Sequence, residues 1–142
     1  MRRMASVLTA MAVLLVFAGI GQAQDRKGET PLTAPGVKEL KAEDLKKMID
    51  KKEKIVVVDS RIASEYKEAH IPGAINIVEK NMEAEKDKLP KDKGAAVAFY
   101  CNGPKCWKSY DAAVKAVAMG YKNVYRLRLG IPEWKEKGFP TV

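Results

Sequence analysis

The residues best suited to chemistry in this 142-residue chain are two cysteines, Cys101 and Cys106, which lie in one short segment. The apolar residues 95–100 predict a buried strand that ends at Cys101. The Asn-Gly-Pro sequence that follows predicts a tight loop, and from Trp107 apolar residues recur on one face of a predicted helix. The sequence therefore places Cys101 between the end of a strand and the N-terminus of a helix, where a cysteine is able to react.

Several neighbours of Cys101 favour a thiolate over a thiol. Backbone N–H groups in a loop of this kind converge on anions, and the dipole of the following helix favours negative charge at its N-terminus. Lys105 and Lys108 add positive charge nearby. Because the thiolate is the nucleophilic form, Cys101 is interpreted as the candidate nucleophile, in preference to a half-buried structural cysteine.

Cys101 and Cys106 are the only cysteines, so they form the only disulfide that one chain can make within itself. A bridge across this loop would close a small ring, stabilise the fold little and consume the candidate nucleophile. We therefore expect any such bridge to be redox-labile and to act as an off state. Two cysteines with a single histidine make a poor zinc site, and the sequence predicts neither a metal nor a cofactor.

The N-terminal residues have the composition of a secretory signal peptide. Arg2 and Arg3 form a positive region, residues 7–20 are almost entirely apolar, and the small residues in 21–23 fit a signal peptidase site. The apolar run is too short to span a membrane. We expect removal of residues 1–23 and a periplasmic or secreted protein without stable membrane association.

The rest of the chain is interpreted as a flexible lead-in over residues 24–36 and one domain over residues 37–142. The formal net charge is +8, and most of the surplus is lysine interleaved with acidic residues. Such runs are typical of a solvated surface, and no basic-aromatic pattern indicates a nucleic-acid partner. A small anionic substrate fits this charge as well.

Predicted strands alternate with predicted helices along the domain. The strands cover residues 55–58, 74–77, 95–100 and 123–127, and the helices cover residues 42–51, 63–68, 79–88, 107–119 and 131–137. This alternation predicts an α/β fold with a mainly parallel central sheet flanked by helices on both faces. Ligands of such sheets bind beyond the carboxyl ends of the strands, where Asp59, Arg61 and Cys101 fall.

Three groups of residues, taken in order, resemble the rhodanese family. They are Asp59-Ser-Arg61 with Glu65-Tyr66 and residues 70–76, the loop segment 100–109, and Ala112-Ala113 with residues 120–124 and 130–134. The likeness runs from about residue 37 to residue 140. It implies a single rhodanese-like domain with the α/β fold expected above.

The resemblance implies a sulfurtransferase that moves sulfane sulfur from thiosulfate, or a related donor, through a persulfide on Cys101. The acceptor would be cyanide or a thiol. By the same resemblance, the six-position loop from Cys101 to Cys106 fits sulfur chemistry, whereas related phosphatases and arsenate reductases have a longer loop ending in arginine. Two alternatives remain open: a sulfur carrier or binding module, and a thiol redox switch. The partners are therefore a small anionic sulfur donor and a thiol or cyanide acceptor, and the oligomeric state is not predicted.

The candidate donor-binding residues lie mainly in the loop. They are Asn102, Gly103, Pro104, Lys105, Cys106 and Trp107, together with Arg61. Inward-pointing amides of this loop would stabilise the anionic donor and the persulfide, as an oxyanion hole does in acyl transfer. Lys105 either holds the donor or is a solvated lysine.

Four residues in and around the loop have further expected roles. Arg61 either reaches the donor or only pairs with Asp59, and Asp59 is expected to brace the loop rather than to take protons. Ser109 either orients the loop or lies on the helix surface. Cys106 either resolves the persulfide, releasing sulfide and forming a disulfide, or only packs.

Overall fold

The computed structural model describes residues 26–142 and has one five-stranded sheet in which every strand pair is parallel. The strands are β1 (Val37–Glu39), β2 (Ile55–Asp59), β3 (Ile75–Asn76), β4 (Ala96–Tyr100) and β5 (Asn123–Leu127), in the spatial order β1-β5-β4-β2-β3. The helices are α1 (Ala42–Asp50), α2 (Ala63–Glu68), α3 (Trp107–Ala118) and α4 (Gly130–Glu136). The predicted α/β fold is confirmed, while the predicted signal peptide lies outside the described residues.

The core lies on both faces of the sheet, and strand β4 shows how the sequence produces it. Side chains of a strand alternate between the two faces. Ala98 and Tyr100 join the buried cluster that includes α1 and α4, whereas Val97 and Phe99 join the cluster that includes α3. A strand buried on both faces has a continuous apolar run, which is why β4 was predictable from composition alone.

Two elements differ from the sequence-based expectation. Strand β1 was not predicted, because its three residues at the sheet edge are mostly exposed and carry no apolar pattern. The predicted helix over residues 79–88 is wrong: two short 3-10 turns, Glu79–Asn81 and Lys86–Lys88, stand there. Met82 between them is fully buried, but no apolar stripe accompanies it, so a longer helix would have no face to pack on the core.

One residue of the lead-in, Thr30, packs against the domain. Thr30 is only 2% exposed, and both its backbone N–H and its hydroxyl donate to the carbonyl of Pro104, at 2.8 and 2.9 Å. The hydroxyl oxygen of Thr30 in turn accepts from the guanidinium of Arg126 at 2.8 Å. Thr30 therefore connects the lead-in to the loop that follows β4 and to β5.

Within residues 26–142, no helix is both long enough and apolar enough to cross a membrane.

Candidate active site

Strand β4 at the centre of the sheet delivers Cys101 to the carboxyl edge, and the loop 101–106 leads directly into α3. Cys101 is 1% exposed. Its carbonyl accepts a hydrogen bond of 3.0 Å from the backbone N–H of Ile131, so α4 holds the start of the loop from the other side. The structure therefore places Cys101 at its predicted position, between the end of β4 and the N-terminus of α3.

The sulfur of Cys101 lies in a small cluster of polar groups. It is bonded to the sulfur of Cys106 in a disulfide. It also lies 3.3 Å from the hydroxyl oxygen of Ser109 and 3.3 Å from the carbonyl oxygen of Cys106. The two Cα atoms are 6.4 Å apart, a separation ordinary for disulfides. The structure therefore shows the oxidised loop, in which Cys101 is not available as a nucleophile.

Hydrogen bonds within the loop set its shape. The backbone N–H of Cys106 donates to the carbonyl of Gly103 at 3.1 Å, so this amide closes a turn and is not directed at the sulfur. Gly103 is buried with a φ of +125°, a conformation that favours glycine. The side-chain amide of Asn102 donates to the carboxylate of Glu65 at 2.5 Å, which ties the loop to α2.

The other predicted donor-binding residues of the loop have different surroundings. Lys105 is exposed, and among residues 26–142 its ammonium group makes no ion pair or hydrogen bond. Trp107 begins α3, and the guanidinium of Arg26 lies over its ring, 4.6 Å from the centroid. The indole N–H of Trp107 is buried without a hydrogen-bond partner in the described part of the chain.

A buried ion pair braces the strand that carries Cys101. The guanidinium of Arg61 donates to both carboxylate oxygens of Asp59, with the shortest contact at 2.6 Å, and also to the carbonyl of Ala69. The hydroxyl of Tyr100, the residue before Cys101, donates to the same carboxylate at 2.7 Å. Of the two roles left open for Arg61, the structure shows pairing with Asp59, and the brace acts on the loop through Tyr100.

The electrostatics of this brace favour its charged form. Burial opposes the charge of Arg61, but the hydrogen bond and negative charge of Asp59 outweigh it, and the pKa of Arg61 is raised. Burial, followed by the charge of Asp59, raises the pKa of the Tyr100 hydroxyl well above its usual range. Tyr100 therefore stays protonated and remains a hydrogen-bond donor to Asp59.

Arg126 in β5 is a site residue that the sequence analysis missed. Its side chain is buried, and its Nε–H donates to the hydroxyl oxygen of Ser109 at 3.1 Å. No carboxylate among the described residues pairs with it. Burial, and then the charge of Arg128, lower its pKa to about 10, so it carries its charge at neutral pH. The sequence signal that could have identified Arg126 is an arginine in a predicted strand whose other buried positions are apolar.

Ser109 connects this charge to the candidate nucleophile. Its hydroxyl oxygen accepts from Arg126, so its own hydrogen remains available to the sulfur of Cys101 at 3.3 Å. A hydroxyl that accepts from a cation is a stronger donor to an anion. Of the two roles left open for Ser109, its burial and these contacts support orientation of the loop, with Arg126 as a positioning residue behind it.

Replacing Arg126 by glutamine is expected to slow alkylation of the reduced Cys101 thiol at neutral pH several-fold, because a nearby cation favours the reactive thiolate. The measurement is the pH profile of Cys101 alkylation by iodoacetamide in a Cys106→Ser background, which moves toward higher pH. Arg126→Lys, which keeps a charge, is expected to restore part of the shift.

Arg128→Gln is the matched control for this prediction. Arg128 also contacts the lead-in, through the carbonyl of Thr30 at 3.2 Å, but makes no bond to Ser109. Equal shifts in Arg126→Gln and Arg128→Gln would show that the lead-in, not the link through Ser109, is responsible.

The fold and this geometry define an α/β domain with a candidate nucleophilic cysteine at the carboxyl edge of a parallel sheet. Residues 41–137 match the family model of the Rhodanese-like domain. The chain belongs to this family, which confirms the resemblance drawn from the sequence motifs.

Individual relatives support the same assignment. Thiosulfate sulfurtransferase GlpE of Coxiella burnetii is 32% identical over 85 residues, which are 60% of this chain and 76% of that protein. The putative sulfur carrier protein YrkF of Bacillus subtilis is 27% identical over 104 residues, 73% of this chain and 54% of that protein. The crystal structure of the BH2092 protein from Bacillus halodurans superposes with a TM-score of 0.68 at 35% identity, covering 74% of this chain and 76% of that one. The chain also matches two other curated relatives, and it spans only 37% of the length of one and 63% of the length of the other.

Proposed function

We propose that this protein is a sulfurtransferase that carries sulfane sulfur as a persulfide on Cys101. The observation that carries the proposal is the position of the Cys101 sulfur, at the end of the central strand and against the hydroxyl of Ser109. Arg126 behind that hydroxyl supplies a buried positive charge. A site of this kind favours an anionic sulfur, which is what a thiolate and a persulfide both are.

The reaction starts from the reduced loop and proceeds in two displacements. The thiolate of Cys101 attacks the outer sulfur of thiosulfate or a related donor, the sulfur–sulfur bond of the donor breaks, and sulfite leaves with the bonding electrons. A thiolate or cyanide then attacks the outer sulfur of the persulfide, and the Cys101 thiolate is released. Because the enzyme carries the group between two half-reactions, ping-pong kinetics are expected.

Two features of the chain support binding of an anionic donor. The hydroxyl of Ser109 is in place to donate to the reacting sulfur, and its partner Arg126 keeps its charge in this buried setting. Lys105 is exposed on the same loop, where its ammonium group is able to attract a dianion from solvent. We propose the attraction of the donor as the role of Lys105.

The first test is intact-mass spectrometry of the reduced protein after addition of thiosulfate and again after cyanide. We expect a gain of one sulfur atom in a Cys106→Ser background, its loss on addition of cyanide, and no gain when Cys101 is also replaced by serine. Sulfite released in the first step should match the sulfur gained. Persistent absence of the adduct in the Cys106→Ser protein would contradict the proposal.

A second candidate function, a sulfur carrier, is favoured by the likeness to the putative sulfur carrier protein YrkF. Both functions require the persulfide, but a carrier holds it until a partner protein takes the sulfur. Steady-state turnover with thiosulfate and cyanide distinguishes them, because a carrier forms the adduct readily and turns over slowly.

A further inference from the structure

The two cysteines of the loop differ in exposure while their sulfurs are bonded to each other. Cys101 is 1% exposed, whereas Cys106 is half-buried and stands at the N-cap of α3. The dipole of this helix favours a thiolate at its N-terminus, so Cys106 is itself able to act as a nucleophile. The structure thus joins a buried candidate nucleophile to a second, more accessible cysteine.

Backbone hydrogen bonds hold the loop in addition to the disulfide. The carbonyl of Cys101 is held by Ile131, the carbonyl of Pro104 by Thr30, and the N–H of Cys106 by Gly103. A bridge across so few residues adds little chain-entropy stabilisation. The bond between the two sulfurs is therefore able to open and close without refolding of the loop.

On these grounds we propose that Cys106 is a resolving cysteine that releases the sulfane sulfur as sulfide. This inference rests on the proposed persulfide of Cys101. It assigns the protein a further activity, the reduction of sulfane sulfur at the expense of its own two thiols.

The geometry determines which sulfur of the persulfide Cys106 attacks. The bond in the structure joins Cys106 to the sulfur that belongs to the Cys101 side chain, and in the persulfide this becomes the inner sulfur. Attack there forms the Cys101–Cys106 disulfide and breaks the sulfur–sulfur bond of the persulfide. The outer sulfur leaves with the bonding electrons and takes the thiol proton of Cys106, giving hydrosulfide. Hydrogen sulfide is a stronger acid than an ordinary thiol, so hydrosulfide is a good leaving group.

The step balances without an external oxidant, because the sulfane sulfur is reduced while the two cysteines are oxidised. The next cycle needs a reductant, which we infer to be a dithiol or a pair of thiols. Its thiolate reaches the sulfur of Cys106 more readily than that of Cys101 because Cys106 is more exposed. Attack at Cys106 expels the thiolate of Cys101, which is the form needed for the next donor. The net reaction converts thiosulfate and a dithiol into sulfite, sulfide and a disulfide.

The test is a single turnover of reduced, desalted protein with thiosulfate in the absence of cyanide and free thiols. Sulfide is followed with a sulfide-selective electrode, and acid-quenched samples are analysed by intact mass. We expect the wild-type protein to release sulfite and sulfide in equal amounts and to end as the disulfide. We expect Cys106→Ser to release sulfite alone and to retain the extra sulfur. The rate constant of sulfide release should not change with protein concentration, since the step is intramolecular.

The outcomes separate this inference from the proposed function. A Cys106→Ser protein that neither releases sulfite nor gains sulfur contradicts the persulfide itself. A Cys106→Ser protein that gains sulfur, beside a wild-type protein that keeps its persulfide and yields no sulfide, overturns the resolving role alone. Sulfide release that is equal in both proteins also overturns it.

Discussion

Replacement of Gly130 by alanine is expected to destabilise the fold and to displace the loop that carries Cys101. Gly130 has a φ of +67°, and a Cβ atom added there would lie 2.1 Å from the carbonyl oxygen of Cys101 and 2.8 Å from the backbone nitrogen of Gly103. Both are backbone atoms of the packed loop, so neither is able to rotate away. We expect a loss of about 4 kcal/mol or more in the free energy of unfolding, at the exceptional end for a single substitution.

Gly138→Ala is the matched control. Gly138 has nearly the same φ, +71°, but no atom lies within 4 Å of its added Cβ. This variant should lose only the penalty of an L-residue in the left-handed region, about 1–2 kcal/mol. Urea unfolding of the two variants therefore separates the clash from the backbone strain.

The same pair of variants tests the connection between α4 and Cys101. We expect relief of the clash in Gly130→Ala to move the Cys101 carbonyl and to weaken its hydrogen bond with the N–H of Ile131. The rate at which reduced Cys101 is alkylated in the absence of urea should change in this variant and stay as in wild type in Gly138→Ala. Equal losses of stability in both variants would show that the loop yields to the added methyl group.

The requirement for glycine at position 130 illustrates what the sequence was unable to reveal. Leucine occupies the neighbouring position 129. The structure gives Leu129 a φ of −77°, which any residue adopts, so its side chain is tolerated. The need at Gly130 arises instead from the approach of the Cys101 backbone, 29 positions earlier in the chain, and no local pattern encodes such a contact.

The elements that were predictable are those whose own residues determine them. Strands β2, β4 and β5 lie next to one another in the middle of the sheet, and β2 and β4 are apolar at nearly every position, so composition alone marks them. The edge strand β1 and the two 3-10 turns depend on neighbours rather than on their own pattern. Their structure follows from pairing with β5 and from the burial of Met82.

The candidate site divides in the same way. Cys101 and Ser109 are eight positions apart, on one strand-loop-helix segment, and both were found from the sequence. Arg126 is 17 positions beyond Ser109, and Thr30 is 96 positions before Arg126. Only the parallel pairing of β5 with β4 brings Arg126 alongside the helix that follows Cys101. Sequence spacing therefore identifies the candidate nucleophile, whereas the groups that set its electrostatics come from the topology of the sheet.

Loss of the Asp59 carboxylate is expected to have the second large effect. Asp59 is fully buried. Its carboxylate accepts hydrogen bonds from the side chains of Arg61 and Tyr100 and also, at 2.9 Å, from the backbone N–H of Arg61. Asp59→Ala leaves the guanidinium of Arg61, only 5% exposed, without its counter-charge. Removing one partner of a buried ion pair costs about 3–5 kcal/mol, since the remaining charge is neither solvated nor paired. We expect urea unfolding to show a loss of this size.

The double variant Asp59→Ala with Arg61→Met tests the reason for that loss. If the unpaired charge of Arg61 causes it, removing the charge as well should recover much of the stability, and the double variant should be more stable than Asp59→Ala alone. Thiosulfate-dependent sulfur gain provides a second readout, because the hydroxyl of Tyr100 loses its acceptor in both proteins. If the stability lost in the double variant equals the sum of the losses from the two single substitutions, Asp59 acts by packing and hydrogen bonding alone. If stability recovers in the double variant but sulfur gain does not, Asp59 also positions Cys101, and it does so through Tyr100.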